Sequence, residues 1–191
     1  ITTSGDHAYG IDLEGSASNT VTNAGTITTS GTSAYGMRLI AGSDSNTTNA
    51  NSNTVTNSGT INVSGNNSAG LYINSNSNNV TNSGTITNSG TSSSGINLLG
   101  DNNTISHSGT ITSSGSNSFG FSIAGSSNTI TSTGNYTASG GSASAVYLNS
   151  NSNTFANAGT ITLSGSSAKG LYINSDSNTV TNSGTITSTG S

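Results

Sequence analysis

The sequence predicts an all-β fold: a single-stranded parallel β-helix, or β-solenoid, of about seven rungs with three short strands in each. The first observation is a repeat of 25 residues along the chain, in which the phrase Gly-Thr-Ile-Thr returns. The second is that apolar residues recur at four fixed positions, and the third is that they alternate with polar residues. We number each unit from the glycine of the phrase, so full units open at Gly25, Gly59, Gly84, Gly109, Gly134 and Gly159.

The apolar residues occupy positions 3, 13, 15 and about 22 of the unit. In the unit that spans 84–108 they are Ile86, Ile96, Leu98 and Ile105. Ser, Thr, Asn and Gly are abundant enough to suggest disorder, but a disordered low-complexity segment would scatter its apolar residues. The four columns therefore predict a folded chain whose interior is a thin aliphatic rod.

Each column lies in a short run such as Thr-Ile-Thr, Leu-Tyr-Ile-Asn or Thr-Val-Thr, where residues alternate as in a half-buried strand. Frequent glycine and the lack of an apolar stripe at helical spacing disfavour helices. Tight hairpins are disfavoured too, because the chain has no proline and no Asn-Gly or Asp-Gly dipeptide. Three strands separated by bends describe one rung, and stacked rungs lie about 4.8 Å apart.

Asparagine occupies position 20 of every unit. An amide can bond to the amides above and below it, and Asn also tolerates left-handed bends. We interpret this column as a structural asparagine ladder at a corner, made of Asn19, Asn53, Asn78, Asn103, Asn128, Asn153 and Asn178. Position 24 predicts a second, imperfect ladder, in which His107 and Ser132 stand where other units have Asn.

Glycine recurs at position 12, where it indicates a bend or a close approach of the backbone. Charged residues make up only 4% of the chain. Like charges at one position of adjacent rungs would lie about 5 Å apart and repel, which explains the scarcity. Arg38 stands directly above Asp12, and this arrangement predicts an ion pair between rungs.

The charged residues also bear on catalysis. β-Helices that cleave polysaccharides need clustered acidic and basic side chains, and the charges in this chain are isolated. Asp12 and Glu14, with His7 nearby, form an acidic patch in the first rung, where metal binding is the alternative interpretation. We predict that the protein is not an enzyme and has no catalytic residue, cofactor or metal site.

The composition limits the choice of partners. The net charge is −4, and no basic stripe is present to neutralise phosphates, so we predict no nucleic-acid partner. No apolar run is long enough for a transmembrane helix, so we predict no membrane insertion. The absence of cysteine excludes disulfides and is compatible with a location outside the cell.

The run Ser-Asn-Thr-Val-Thr-Asn-Ser-Gly-Thr-Ile-Thr at 177–187, nearly repeated at 52–62, resembles the repeats of bacterial autotransporter passenger domains and related large surface adhesins. The resemblance spans the chain. It implies a right-handed parallel β-helix, secretion to the cell surface or extracellular space, and a role as stalk, adhesin or matrix fibre.

We predict one continuous β-solenoid over 1–191, with a surface-loop insertion near 41–51 that lengthens one unit by nine residues. The repeat starts and stops within a unit and shows no terminal cap. Two interpretations follow: a segment of a longer array, or a subunit of a head-to-tail filament. The expected partners are other copies of the chain, through end-to-end or lateral contacts, and host or matrix glycans.

Threonines flank the inward isoleucine at positions 2 and 4 and should point outward together. Their spacing would be about 7 Å along the strand and about 4.8 Å between rungs, which resembles the Thr-x-Thr faces of ice-binding solenoids. This alternative function uses Thr26, Thr28, Thr85, Thr87, Thr110, Thr112, Thr160, Thr162, Thr185 and Thr187. A second Thr-rich face follows the column near position 22. Threonine is also simply a favoured exposed strand residue.

Tyrosines provide the local candidates for adhesion. Tyr147 and Tyr172 stand at the same outward position in adjacent rungs, and Tyr72 stands at that position further along. This candidate aromatic ladder could bind sugar rings or stabilise the stack of rungs.

Overall fold

The computed structural model describes residues 1–41 and 51–190, and their fold confirms the predicted class. These residues form a parallel β-solenoid of about 7 turns with three sheets and no helix. Each turn contributes one strand to each sheet. The described part of the chain thus contains no helix long enough to cross a membrane. The predicted insertion near 41–51 falls mainly on 42–50, which lie outside the described residues.

The first sheet has eight strands and carries positions 2 to 5 of the unit. Its strands are β1 (Thr2–Thr3), β4 (Thr26–Thr29), β7 (Thr60–Val63), β10 (Thr85–Asn88), β13 (Thr110–Ser113), β16 (Asn135–Ala138), β19 (Thr160–Leu163) and β22 (Thr185–Ser188).

The second sheet has seven strands and carries the columns at positions 13 and 15. Its strands are β2 (Ile11–Glu14), β5 (Tyr35–Ile40), β8 (Ala69–Asn74), β11 (Ser94–Leu98), β14 (Phe119–Ile123), β17 (Ser144–Leu148) and β20 (Lys169–Ile173).

The third sheet also has seven strands and carries the column near position 22. Its strands are β3 (Thr20–Asn23), β6 (Thr54–Asn57), β9 (Asn79–Asn82), β12 (Thr104–His107), β15 (Thr129–Ser132), β18 (Thr154–Asn157) and β21 (Thr179–Asn182).

The register of the sheets places each residue on its equivalent in the next rung. Ile86 pairs with Ile61 on one side and with Ile111 on the other. The four predicted columns form one apolar cluster, and Ile61, Ile86 and Ile111 are completely buried within it. The columns read from the sequence are therefore the interior of the solenoid.

A further inward column, at position 5, was not predicted. It contains Thr29, Val63, Asn88, Ser113, Ala138 and Leu163, all buried. Its mixture of polar and apolar residues hides it in the sequence, because no residue type recurs there. Asn88 is 0% exposed, and neither its amide nitrogen nor its amide oxygen has a hydrogen-bond partner.

The structure corrects the prediction about which residues make the bends. Asparagine at position 20 is not left-handed; the residue before it is, as in Ser77 (φ 58) and Asn102 (φ 57). A second left-handed residue occurs at position 9, as in Ser92 (φ 54). The side chain at position 20 is buried in most rungs, so asparagine recurs there because of its hydrogen bonds. The bend is formed by the polar residue at position 19.

Glycine at position 7 is required by contact between rungs. A Cβ atom added to Gly140 would lie against the backbone carbonyl of Gly115 in the preceding rung, which cannot move without disturbing the sheet. The adjacent Gly141 differs, because the nearest atom to its Cβ would be the side-chain oxygen of Ser166 at 3.3 Å. Close stacking therefore excludes a side chain at the first glycine and tolerates a methyl group at the second.

We predict that Gly140→Ala lowers the free energy of unfolding by about 1–3 kcal/mol, the usual cost of overpacking, because the clash is with rigid backbone. Gly141→Ala is the matched control and should change stability by less than about 1 kcal/mol, because the Ser166 hydroxyl can rotate. Thermal and urea unfolding measure both variants. Equal stabilities of the two variants would contradict this account of rung contact.

Candidate functional surfaces

The asparagines at position 20 form a continuous hydrogen-bonded ladder between rungs. The backbone N–H of Asn78 donates to the side-chain oxygen of Asn103 at 2.7 Å, and the side-chain amide of Asn78 donates to the same oxygen at 3.0 Å. The backbone N–H of Asn128 donates in the same way to Asn153 at 2.8 Å. Asn78, Asn103 and Asn128 are buried, so the ladder faces the interior and offers nothing to a ligand.

A further ladder lies at position 18, on the exposed corner, and the sequence analysis missed it. The backbone N–H of Asp101 donates to the side-chain oxygen of Asn76 at 2.8 Å, and that of Ser126 donates to Asp101 at 2.7 Å. Carboxylates, amides and hydroxyls alternate at this position, so no single residue type marks it. The only sign of this ladder in the sequence is that position 18 carries a short residue with a side-chain acceptor in almost every unit.

The ladder at position 24 ends in a histidine. Side-chain amides donate along it from Asn23 to Asn57 at 2.8 Å and from Asn57 to Asn82 at 2.7 Å. The Asn82 amide nitrogen then lies 3.0 Å from Nδ1 of His107. Because an amide N–H₂ group can only donate, Nδ1 must accept, and the proton of the neutral imidazole lies on Nε2.

His107 is buried in the solenoid and packs edge-on against Phe121, with ring centroids 5.5 Å apart. Its Nε2 has no hydrogen-bond partner. Burial lowers the pKa of His107 below its usual value of 6.5, since a charged imidazolium would lose its hydration. Protonation would also place a hydrogen on Nδ1 opposite the Asn82 amide, so the neutral form fits the ladder and the charged form does not.

We predict that the free energy of unfolding decreases as pH falls from 6.5 toward 5. In that range the unfolded chain takes up a proton at His107 before the folded chain does, with a slope of up to about 1 kcal/mol per pH unit. The stabilising effect of the neutral form is complete above pH 6.5. Urea unfolding as a function of pH measures the slope.

His107→Asn is the matched variant for this pH effect. Asparagine restores the ladder residue, and its amide could donate to the carbonyl of Gly109, as Asn157 donates to Gly159 at 3.3 Å. The variant should lose the decrease in stability between pH 6.5 and 5, where most carboxylates stay ionised. An unchanged slope in the variant would show that His107 does not cause the acid sensitivity.

The predicted threonine face lies on the outer side of the first sheet. In the β10–β13 pair, Thr85 lies beside Thr110 and Thr87 beside Thr112. In the β19–β22 pair, Thr162 lies beside Thr187. Position 2 is mostly exposed, whereas position 4 is mostly half-buried. The register extends the columns to Thr60 and Thr137, which the sequence analysis had not included, and places Asn62 and Asn135 within them. The face is thus a nearly continuous lattice with two interruptions.

The second threonine face lies on the third sheet. Thr129 and Thr131 are exposed, and their rung neighbours are Thr104 and Ser106 on one side and Thr154 and Ala156 on the other. The alternation of Thr, Ser, Asn and Ala makes this lattice less regular than the first.

The candidate aromatic ladder is divided into two stacks, which corrects the prediction that Tyr72 belongs with Tyr147 and Tyr172. Tyr72 stacks on Tyr35, with ring centroids 4.2 Å apart, and Tyr35 stacks on Tyr9 at 5.4 Å. Burial raises the pKa of Tyr35 to about 12, and the neighbouring tyrosines add to the effect. We call these three rings the first stack.

The second stack contains the other two predicted tyrosines. Tyr147 stacks on Tyr172 at 5.1 Å and on Phe119 at 5.3 Å. Tyr35 and Phe119 stand at position 11, three residues before the tyrosine position. Rings at position 11 of one rung thus stack on rings at position 14 of the next rung. A residue type that recurs at a single position does not reveal this contact.

Both carboxylates of the acidic patch in the first rung pair with Arg38. Its Nε lies 2.8 Å from an Asp12 oxygen, as the sequence predicts, and its terminal nitrogen lies 3.1 Å from Glu14. The guanidinium also covers the Tyr9 ring, 4.1 Å from its centroid. Within residues 1–41 and 51–190, no three acidic, His or Cys side chains come together in a way that could hold a metal ion.

Comparison with known protein families gives a match over part of the chain. Residues 1–94, just under half of the chain, match the family model described as the BigA third pectate lyase-like domain. No curated protein and no solved structure gives a significant match. The words pectate lyase-like belong to that domain's description and assign no reaction to this chain. The family match and the solenoid fold together fit a repeat of a bacterial surface protein.

Proposed function

We propose that this chain is a rigid structural segment of a secreted bacterial surface fibre, serving as a stalk, adhesin or extracellular filament. The observation that carries the proposal is the unbroken register of three parallel sheets, in which every rung pairs with the next. Such a rod resists extension and bending along its length, because backbone hydrogen bonds and the apolar core continue through all rungs. At about 4.8 Å per rung, seven rungs extend about 34 Å.

Several features support a structural role in preference to catalysis. The asparagines of the two predicted ladders are largely buried, and within each ladder they form hydrogen bonds from one rung to the next. Their polar groups therefore hold the rungs together. Arg38 is held by two carboxylates. The family match to a bacterial surface-protein domain supports an extracellular or cell-surface location. We include other copies of this chain among its partners, because parallel strand pairing can continue from one solenoid to another.

We predict that antibodies raised against the recombinant chain label intact cells of the bacterium that produces it. A surface fibre is accessible without permeabilisation, so labelling should be equal before and after the envelope is opened. An antibody to a cytoplasmic protein serves as the control and should label only opened cells. Electron microscopy of the labelled material should show thin rods. Labelling confined to opened cells would contradict the proposed location.

Ice binding is the second candidate function, and the threonine lattice of the first sheet favours it. Paired threonines at positions 2 and 4 repeat in register in β10 and β13 and again in β19 and β22, with Asn135 of β16 between them. Such a lattice holds hydroxyl and methyl groups at fixed spacings, about 7 Å along the strand and about 4.8 Å between rungs. The surrounding surface carries few charges that would order water differently.

If the first sheet binds ice, Thr112→Tyr should strongly reduce inhibition of ice recrystallisation, because a bulky ring in the middle of the lattice prevents flat contact. Thr131→Tyr places the same ring on the third sheet and should leave the inhibition unchanged. The assay compares both variants with the unmodified chain at equal concentration. No inhibition by the unmodified chain would eliminate this candidate and leave the structural role.

A further inference from the structure

The outer face of the second sheet carries an aromatic ring in every rung except one. The first stack, Tyr9, Tyr35 and Tyr72, occupies three successive rungs, and the second stack, Phe119, Tyr147 and Tyr172, occupies another three. The rung between them belongs to β11 and presents Ser94 and Asn97 at the two ring-bearing positions. We call this place the aromatic gap, with Tyr72 and Phe119 as its walls and Ser94 and Asn97 as its floor.

The walls of the gap are ring faces. Tyr35 covers one face of Tyr72 at 4.2 Å with the planes 10° apart, so the opposite face is directed toward β11. Tyr147 covers one face of Phe119 at 5.3 Å with the planes 20° apart, so its opposite face is directed toward β11 from the other side. The register places Asn97 beside Tyr72 and Ser94 beside Phe119, so the two walls are attached three residues apart along their strands. Rings with the same offset do meet, because Tyr35 and Tyr72 stack at 4.2 Å.

The width of the gap suits one ring. The strands that carry the walls lie two rung spacings apart, about 10 Å, and a stacked ring needs about 4–5 Å on each side. The floor supplies polar groups: the half-buried Asn97 carries an amide that can donate two hydrogen bonds and accept two. A ligand here would be held between two apolar faces and oriented by hydrogen bonds at its edge.

The charges nearby indicate a neutral ligand. Arg38 lies over Tyr9 and Lys169 lies over Tyr172, at the outer end of each stack. The guanidinium of Arg38 is engaged by Asp12, Glu14 and Tyr9 of the first rung, and Lys169 lies in the rung of its stack that is farthest from the gap. A ring enclosed by two aromatic walls must have C–H groups on both of its faces. Pyranoses whose hydroxyls are all equatorial meet this requirement, whereas an axial hydroxyl would face one wall.

From these features we infer that the aromatic gap binds a single pyranose ring of a neutral β-linked polysaccharide of the glucose type. The ring is sandwiched between Tyr72 and Phe119, and its equatorial hydroxyls bond to the Asn97 amide. This site differs from the tyrosine ladder predicted from the sequence, and Tyr72 is the one residue that belongs to both. It does not depend on the chain being part of a surface fibre.

The test is a titration of the isotope-labelled chain with cellopentaose, followed by NMR. We expect shifts of the Tyr72, Ser94, Asn97 and Phe119 resonances, and binding at least about tenfold tighter than that of mannopentaose, whose axial hydroxyls face a wall. Tyr72→Ala and Phe119→Ala should each weaken cellopentaose binding about tenfold, the loss of one ring contact. Tyr9→Ala and Tyr172→Ala remove rings at the outer ends of the stacks and should bind normally.

A filling variant separates ligand binding from stability. Asn97→Tyr places a ring in the gap and joins the two stacks, so it should abolish cellopentaose binding while the melting temperature stays equal or rises. Absence of binding to the unmodified chain at millimolar sugar would overturn the inference. Retained binding in Asn97→Tyr, or equal loss in the wall variants and the outer-ring variants, would overturn it as well.

Discussion

The in-register stacking of rungs about 4.8 Å apart is the constraint on which the rest of this structure depends. Each residue lies on its own equivalent, so a side chain is acceptable only if it can pack against or bond to a copy of itself. Isoleucine meets this condition through dispersion contacts, and asparagine meets it because an amide both donates and accepts. A charged residue fails it when the neighbouring rung carries the same charge, whereas a neighbour of opposite sign is favourable, as Arg38 is for Asp12.

Departures from the repeat show how the constraint operates. His107 accepts a hydrogen bond from Asn82 but leaves its other nitrogen unpaired, so the ladder running from Asn23 ends there. The next rung carries Ser132 at this position and does not continue the ladder. The ladder resumes with the hydrogen bond of 2.7 Å from the Asn157 amide to Asn182. Asn88 is a buried amide in a column of unlike residues and finds no partner. Buried asparagines thus bond to one another where adjacent rungs carry the same residue, whereas a buried serine such as Ser93 donates to a backbone carbonyl.

Side chains on the outer surface need not all pack against or bond to their equivalents in the next rung, and the outer faces of the three sheets differ. The outer faces of the first and third sheets carry columns of short residues in which threonine is frequent. The second sheet carries the large rings, which stack because they also lie one rung apart. A structural segment needs only the interior and the bends. Variation on the outer faces, and above all the ring-free rung at β11, is where recognition of a partner can be added without disturbing the rod.

The sequence by itself determined the fold class, the rung length and four apolar inward columns, because a repeat of 25 residues with alternating apolar positions allows few other structures. It also located the position-20 asparagines and the partner of Arg38. Only the tertiary structure decided which residues make the left-handed bends, because asparagine suits both a bend and a ladder. It likewise decided that Tyr72 stacks with Tyr35 and is separated from Tyr147. Rings that meet come from different positions of neighbouring rungs, and that contact exists only after the rungs are stacked.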